Sequence, residues 1–162
     1  MTKLAELDSV EVVEQTPEEK RAAAAKSLIR KYAALSAGLG FIPVPGIDIA
    51  AVSSAQYVMI RDIGELYGHP TSKERVRVIV SSILGGALPV SLAAGGGSLV
   101  KSIPFVGTIA GALLVPSLAS AATIALGRVF IQHFETGGTL LDLNAEKLRA
   151  HFKSEFEAVK LK

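Results

Sequence analysis

The sequence contains no cysteine and no tryptophan, and aromatic residues make up only 6% of its 162 residues. Without cysteine there is no disulfide framework and no thiolate metal site, so cysteine usage gives no information on the redox compartment. The scarcity of aromatic residues also means that the long apolar runs lack the aromatic belts that usually flank membrane spans. This absence keeps a soluble helical bundle open as an interpretation.

Groups that carry catalytic chemistry are sparse and isolated from one another. His69, His133 and His151 show no metal-ligand spacing. Glycines precede Lys101, but Val100 occupies the position where a phosphate-binding loop requires glycine. No serine lies in a nucleophile-elbow context and no carboxylate pair lies in an apolar stretch. We therefore expect no enzyme activity, no catalytic residue, no metal and no cofactor.

Charge is almost absent from the centre of the chain. Between Arg77 and Arg128 the one charged residue is Lys101, which separates two apolar runs, Val78–Val100 and Ser102–Gly127. As a helix each run would measure roughly 35–39 Å, which exceeds the roughly 30 Å of a hydrocarbon core. The pattern predicts a helical hairpin in a membrane.

A shorter hairpin is predicted upstream of this one. Pro43 and Pro45 break a helix and Gly46 follows them. The apolar part of each arm is about 14 residues, too short to span, so in lipid this pair would be a re-entrant wedge. Asp48 is the candidate intramembrane acid: we favour a carboxylate at a helix N-terminus, and the alternative is part of an ion or proton path.

The two breaks align as an internal repeat. Residues 42–52 match residues 103–113 without gaps, with isoleucine, proline and glycine at the same spacing. Gly107 and Gly111 are small residues four apart, a spacing that favours close helix packing or self-association in lipid. The charges lie at the open ends, so we expect both hairpins to point the same way. The predicted apices are Pro43, Pro45, Gly46, Lys101, Pro104 and Gly107.

Amphipathic helices are expected on both sides of the hairpins. Thr16 and Glu19 form a capping box, and Asn144 precedes an apolar stripe that indicates a last helix over 145–160. The fold class is therefore all-α, with two consecutive helical hairpins, membrane-embedded or re-entrant, between two amphipathic helices. We divide the chain into a flexible acidic arm (1–15), a hairpin domain (16–138) and a C-terminal amphipathic helix (139–162).

Positive charge orients the predicted hairpins. The basic residues crowd at the open ends, where they would meet lipid headgroups. The positive-inside rule then places both termini in the cytoplasm. The net charge of +2 is too small to indicate a nucleic-acid partner. The candidate membrane-surface residues are Lys20, Arg21, Lys26, Arg30, Lys31, Arg75, Arg77 and Arg128.

The spacing of proline and glycine residues along the chain resembles that of a known family. The segments Ile42–Asp48, Tyr67–Gly68, Ile103–Gly107 and Ala125–Arg128 are similar to domain of unknown function 697. That domain occurs C-terminal to Era-like and dynamin-like bacterial GTPases and in YcjF-type inner-membrane proteins. The resemblance, over residues 24–138, implies a helical module that is associated with the bacterial inner membrane, with both termini in the cytoplasm. Because this sequence holds no GTPase domain, it implies that any GTPase partner acts in trans.

Together these patterns predict a non-enzymatic membrane protein. We expect a self-associating scaffold, anchor or membrane-shaping factor whose partners are the lipid bilayer, further copies of itself and a GTPase. One alternative is a channel or transport component that uses Asp48, with Gly95–Gly97 near its pathway. Another is a soluble helical-bundle interaction protein.

Overall fold

A computed structural model of the chain describes residues 15–41, 47–70, 72–87 and 109–160. These ranges form five helices and no strand, which confirms the all-α prediction for this part of the chain. Residues 1–14 of the predicted arm lie outside the described residues. So do all the predicted apices, which are Pro43, Pro45, Gly46, Lys101, Pro104 and Gly107. The helices are α1 (Pro17–Leu39), α2 (Ile47–Leu66), α3 (Lys73–Ala87), α4 (Ile109–Glu135) and α5 (Ala145–Lys160).

Local side-chain signals set the starts of α1 and α5. The Thr16 amide donates to Glu19 Oε2 at 2.8 Å, and the Glu19 amide donates to Thr16 Oγ1 at 3.2 Å. Asn144 Oδ1 accepts from the amides of Glu146 and Lys147, both at 3.0 Å. Both predicted caps are confirmed, because a side-chain oxygen satisfies amides that have no partner inside the helix.

Glycine in the left-handed region terminates α2 and α4. Gly68 has φ of 80° and Gly137 has φ of 79°, a conformation that a side chain disfavours. The amide of His69 donates to the Gly64 carbonyl at 2.7 Å, which closes the end of α2 as a Schellman-type turn. The short turn after α4 then allows α5 to fold back.

The helices pack around α4. Within the described ranges α4 contacts α1, α2 and α5, whereas α3 contacts α2 and α5 but not α4. Gly127 of α4 lies against Ile29 of α1 and Met59 of α2, and Gly40 lies against the backbone of Pro116. As α1 advances from residue 29 to residue 40, α4 therefore runs backward from residue 127 to residue 116, so these two helices are antiparallel.

One continuous core joins all five helices. Residues from the two predicted apolar runs contribute to it: Val80 and Ile83 from α3, and Ala125 and Leu126 from α4 are buried. In these parts of the runs the apolar side chains pack against protein. No helix in the described ranges is long and apolar enough to cross a bilayer. The largest fully buried side chains are Phe130, Phe152, Met59, Ile60, Ile63, Ile83 and Leu126.

A buried polar cluster ties α1, α2 and α4 together. Ser36, Gln56 and Thr123 are each at most 2% exposed. Gln56 Nε2 donates to Thr123 Oγ1 at 3.1 Å, and the Thr123 hydroxyl lies 2.9 Å from Ser36 Oγ and 2.8 Å from the Ala119 carbonyl oxygen. Because buried polar groups are costly without partners, this cluster favours one register of the three helices.

Candidate functional site

Four helix ends meet at the same end of the bundle. Since α1 runs antiparallel to α4, the C-terminus of α1 and the N-terminus of α4 lie together. Tyr32 of α1 bonds to Asp62 of α2, and Ser36 and Gln56 both bond to Thr123, so residue numbers fall along α2 as they rise along α1. Tyr57 of α2 bonds to Ser81 of α3, and Arg61 and Arg77 line one groove, so α2 is antiparallel to both neighbours. We call this end the apical end. It carries residue 39 of α1, residue 47 of α2, residue 87 of α3 and residue 109 of α4.

The four helices carry almost no charge near the apical end. Aspartate, glutamate, lysine and arginine are absent from residues 32–39, 49–60, 78–87 and 109–127, and Asp48 is the one apical charge that these four helices carry in the described residues. At about 1.5 Å per residue these stretches measure roughly 12, 18, 15 and 28 Å. We call them the apical half of the bundle. Arg149 of α5 also reaches this half, where its Nη2 donates to the Ser82 carbonyl oxygen at 2.9 Å.

A cation bounds each uncharged stretch. Moving away from the apical end, and after Asp48 on α2, the first charged residue is Lys31 on α1, Arg61 on α2, Arg77 on α3 and Arg128 on α4. We call these four residues the cationic collar. All four bounding residues are basic, although the chain holds nearly as many acidic residues, 15, as lysines and arginines, 17.

Contacts between the helices place the collar residues at one level. Gly127, which precedes Arg128, lies against Ile29 and Met59. Lys31 comes two residues after Ile29 on α1, and Arg61 comes two residues after Met59 on α2. Arg77 joins this level because it lines the same groove between α2 and α3 as Arg61. The collar is therefore a feature of the folded bundle rather than of any single helix.

Ion pairs hold two collar arginines in place. Arg128 Nη1 lies 3.1 Å from Glu155 Oε2 of α5. Arg61 Nη2 donates to Asp62 Oδ1 at 3.0 Å, and this hydrogen bond is the main reason that the pKa of Arg61 is raised above its ordinary value. The Tyr32 hydroxyl donates to the same carboxylate at 2.6 Å; burial and then this bond raise its pKa to about 12.

Apolar side chains are exposed at and above the collar. Phe41 and Ile47, which flank the apical end of α1 and α2, are 57% and 56% exposed. Leu35 is also exposed on α1, and Val78, next to Arg77 on the apical side, is 70% exposed. Contiguous exposed apolar surface marks contact with a partner or a membrane, whereas isolated exposed apolar side chains such as Leu141, which is 75% exposed at the opposite end, need no such explanation.

Sequence comparison places this molecule among known proteins. The family model described as domain of unknown function (DUF697) matches residues 5–160, nearly the whole chain. The chain belongs to the DUF697 family. The resemblance inferred from the proline and glycine punctuation is thus confirmed.

A named relative of this family member is magnetosome membrane protein 22 of Magnetospirillum gryphiswaldense. It is 40% identical over 136 residues, an alignment that covers 82% of this chain and 69% of the relative. No solved structure matches the chain.

The eight predicted membrane-surface cations are all exposed, but they occupy different levels. Lys31, Arg77 and Arg128 belong to the collar. The other five, at positions 20, 21, 26, 30 and 75, lie on its basal side. Sequence reasoning missed Arg61, because Asp62 follows it and the segment reads as a mixed-charge face; comparing the first charge after each uncharged stretch would have found it.

For the remaining predicted residues of this DUF697 chain, the structure gives at most the position in a helix. Asp48 lies in the first turn of α2 and Gly111 near the start of α4, but the surroundings of both lie outside the described side chains, and Gly107 lies outside the described residues. In the described ranges no group of histidine and acidic residues is arranged to hold a metal. His133 Nε2 lies 2.9 Å from the Thr139 carbonyl oxygen, in the turn after α4.

Proposed function

We propose that this protein is a non-enzymatic membrane anchor or scaffold that inserts its apical half into a bilayer from one side. The observation that carries this proposal is the collar: four helices point uncharged halves to one end, and a cation bounds each of them at one level. Cations near an anionic leaflet contribute about 1 kcal/mol each, and apolar surface beyond them enters the acyl region.

The dimensions of the apical half suit insertion from one side. The uncharged stretches of α1, α2 and α3 measure roughly 12–18 Å, about half of a hydrocarbon core of roughly 30 Å, whereas that of α4 measures roughly 28 Å. A body in which three of four helices end at mid-depth displaces more lipid in the leaflet it enters than in the other. Asymmetric displacement favours curvature, so membrane shaping is part of the proposal.

The name of the relative supports a membrane setting, since it is called a magnetosome membrane protein. We extend the proposal to the bacterial inner membrane, with both termini on the cytoplasmic side where basic residues accumulate. Self-association through Gly107 and Gly111 and a GTPase partner acting in trans belong to the same proposal. Both would convert a single anchor into a regulated array.

Flotation of the purified protein with anionic vesicles tests the collar. The variant Lys31→Gln/Arg128→Gln removes two collar charges, and Lys20→Gln/Arg21→Gln removes an exposed lysine and an exposed arginine of the basal side as a matched control. At about 1 kcal/mol per charge, partition of the collar variant should fall roughly thirtyfold. Lys20 lies eleven residues, roughly 16 Å, from Lys31, about two Debye lengths, so the control should change little. Equal losses in the two variants would refute insertion at the collar.

A soluble helical-bundle interaction protein is the competing function. It is favoured by the burial of Ala125 and Leu126, since this part of the second apolar run packs against protein. An alkaline carbonate wash of native membranes separates the two candidates. Retention in the membrane pellet supports the anchor, and release as a folded helical protein supports the soluble bundle. No described contact favours the channel alternative at Asp48.

A further inference from the structure

An open groove of about 390 Å³ runs between α2 and α3 at the level of the collar. Its apical side is formed by Ser54, Tyr57 and Val58 of α2. The Tyr57 hydroxyl lies 3.1 Å from Ser81 Oγ of α3, so a hydrogen bond links the two helices at this side. Because Ser54 belongs to the uncharged stretch of α2, the groove extends from the collar into the uncharged half of the bundle.

The basal side of the groove is cationic. Arg61, Lys73 and Arg77 line it together with a single acid, Glu74. Among the described residues Lys73 and Arg77 have no ion-pair partner. Arg61 is paired with acids of its own helix, since Nη2 lies 3.0 Å from Asp62 Oδ1 and Nε lies 3.5 Å from Glu65 Oε1. Lys73 and Arg77 therefore supply the uncompensated positive charge of this side.

We infer that the groove binds one anionic phospholipid, with its phosphoryl group between Arg61, Lys73 and Arg77 and its acyl chains directed along Val58 toward the apical half. Guanidinium groups and ammonium groups are the usual protein ligands of phosphate oxygens. A free phosphate would use only the basal side, whereas an amphiphile is complementary to both sides. The inference rests on the proposed membrane association and names the lipid class that it recognises.

Soluble short-chain lipids test the groove without a bilayer. Calorimetry would compare dihexanoyl phosphatidylglycerol below its micelle concentration with dihexanoyl phosphatidylcholine and with inorganic phosphate. We expect the phosphatidylglycerol to bind more tightly than either other probe. Equal affinity for phosphatidylcholine would refute recognition of the anionic headgroup, and equal affinity for inorganic phosphate would refute the acyl-chain side of the groove.

Matched variants on α3 localise the binding. Arg77→Gln should weaken binding of the short-chain phosphatidylglycerol about tenfold, as expected for a charge-assisted hydrogen bond. Arg75→Gln removes an exposed cation of the same helix that does not line the groove, and should change affinity less than about twofold. Glu74→Gln should tighten binding, because it removes the one lining acid. Equal effects of Arg77→Gln and Arg75→Gln would overturn the inference.

Vesicle flotation of the same variants separates this inference from the proposed function. Flotation that persists while the short-chain lipid does not bind refutes the groove and leaves the anchor intact. If the unmodified protein does not float with vesicles, the proposed anchor function is refuted, whether or not calorimetry detects binding of the short-chain lipid. Retained flotation together with binding that depends on Arg77 and not on Arg75 supports both.

Discussion

Thr123→Val tests whether the buried polar cluster stabilises the bundle. Valine has nearly the shape of threonine, so no cavity forms, but Gln56 Nε2 loses the acceptor that lies 3.1 Å away and stays buried. A buried donor without a partner costs roughly 1–3 kcal/mol, and we expect about 2 kcal/mol less stability. For a domain of this size that loss lowers Tm by roughly 4–8 °C.

Thermal and denaturant unfolding followed by circular dichroism measure this loss. Thr136→Val is a matched control, because Thr136 is exposed just after α4 and its hydroxyl donates to the Gln132 carbonyl, as that of Thr123 does to Ala119. An exposed substitution of this kind should change stability by less than about 0.5 kcal/mol. Equal losses at the two threonines would show that burial of the cluster is irrelevant.

The triple variant Ser36→Ala/Gln56→Leu/Thr123→Val distinguishes the orphaned donor from a packing defect. Replacing all members of a buried polar cluster by apolar groups is often close to neutral, whereas removing one member leaves its partners unpaired. We therefore expect the triple variant to recover most of the stability that Thr123→Val loses. A triple variant as unstable as the single one would refute the reasoning.

Three further results are expected. Gly68→Ala forces alanine into φ of 80° and should lower the unfolding free energy by roughly 1–2 kcal/mol in a denaturant titration. Burial and carboxylate hydrogen bonds raise the pKa of Tyr32 and Tyr67 from 10.0 to about 12. Their contribution to the free energy of unfolding is therefore full below pH 10 and is lost as the pH rises toward 12. Unfolding titrations between pH 10 and 12 should show this decline in stability, and Tyr67→Phe should make the decline smaller. Phe41→Asp should abolish vesicle flotation, whereas Leu141→Asp, on an exposed apolar residue of the opposite end, should leave it unchanged.

Helix ends were predictable from the sequence because their signals are local. Thr16 and Glu19 are three residues apart and satisfy each other's amides within one turn. Asn144 accepts from the two amides that follow it, and Gly68 supplies the one backbone conformation that closes α2. None of these features depends on a neighbouring helix, so a single stretch of sequence contains all the information.

The neighbours of the apolar runs were not predictable in the same way. Hydropathy scores Ser102–Gly127 as one stretch, yet its last turns pack on three other helices while no described helix can span a bilayer. The hydropathy of a leucine or an alanine is the same whether its neighbours are lipid tails or other side chains. Composition therefore does not distinguish a helix in a bilayer from a helix in a protein core. The cluster of Ser36, Gln56 and Thr123 was missed for a related reason: its members are up to 87 positions apart.

The collar depends on the register of α4, and Gly127 holds that register. A β-carbon at this position would lie 2.5 Å from Ile29 Cγ1, so only glycine allows α4 this close to α1. One turn of slippage along the axis would move Arg128 by about 5.4 Å, either into the uncharged half or away from the other three cations. The sign of each charge is written in the sequence, but their common level exists only because a glycine, an isoleucine and a methionine meet in the core.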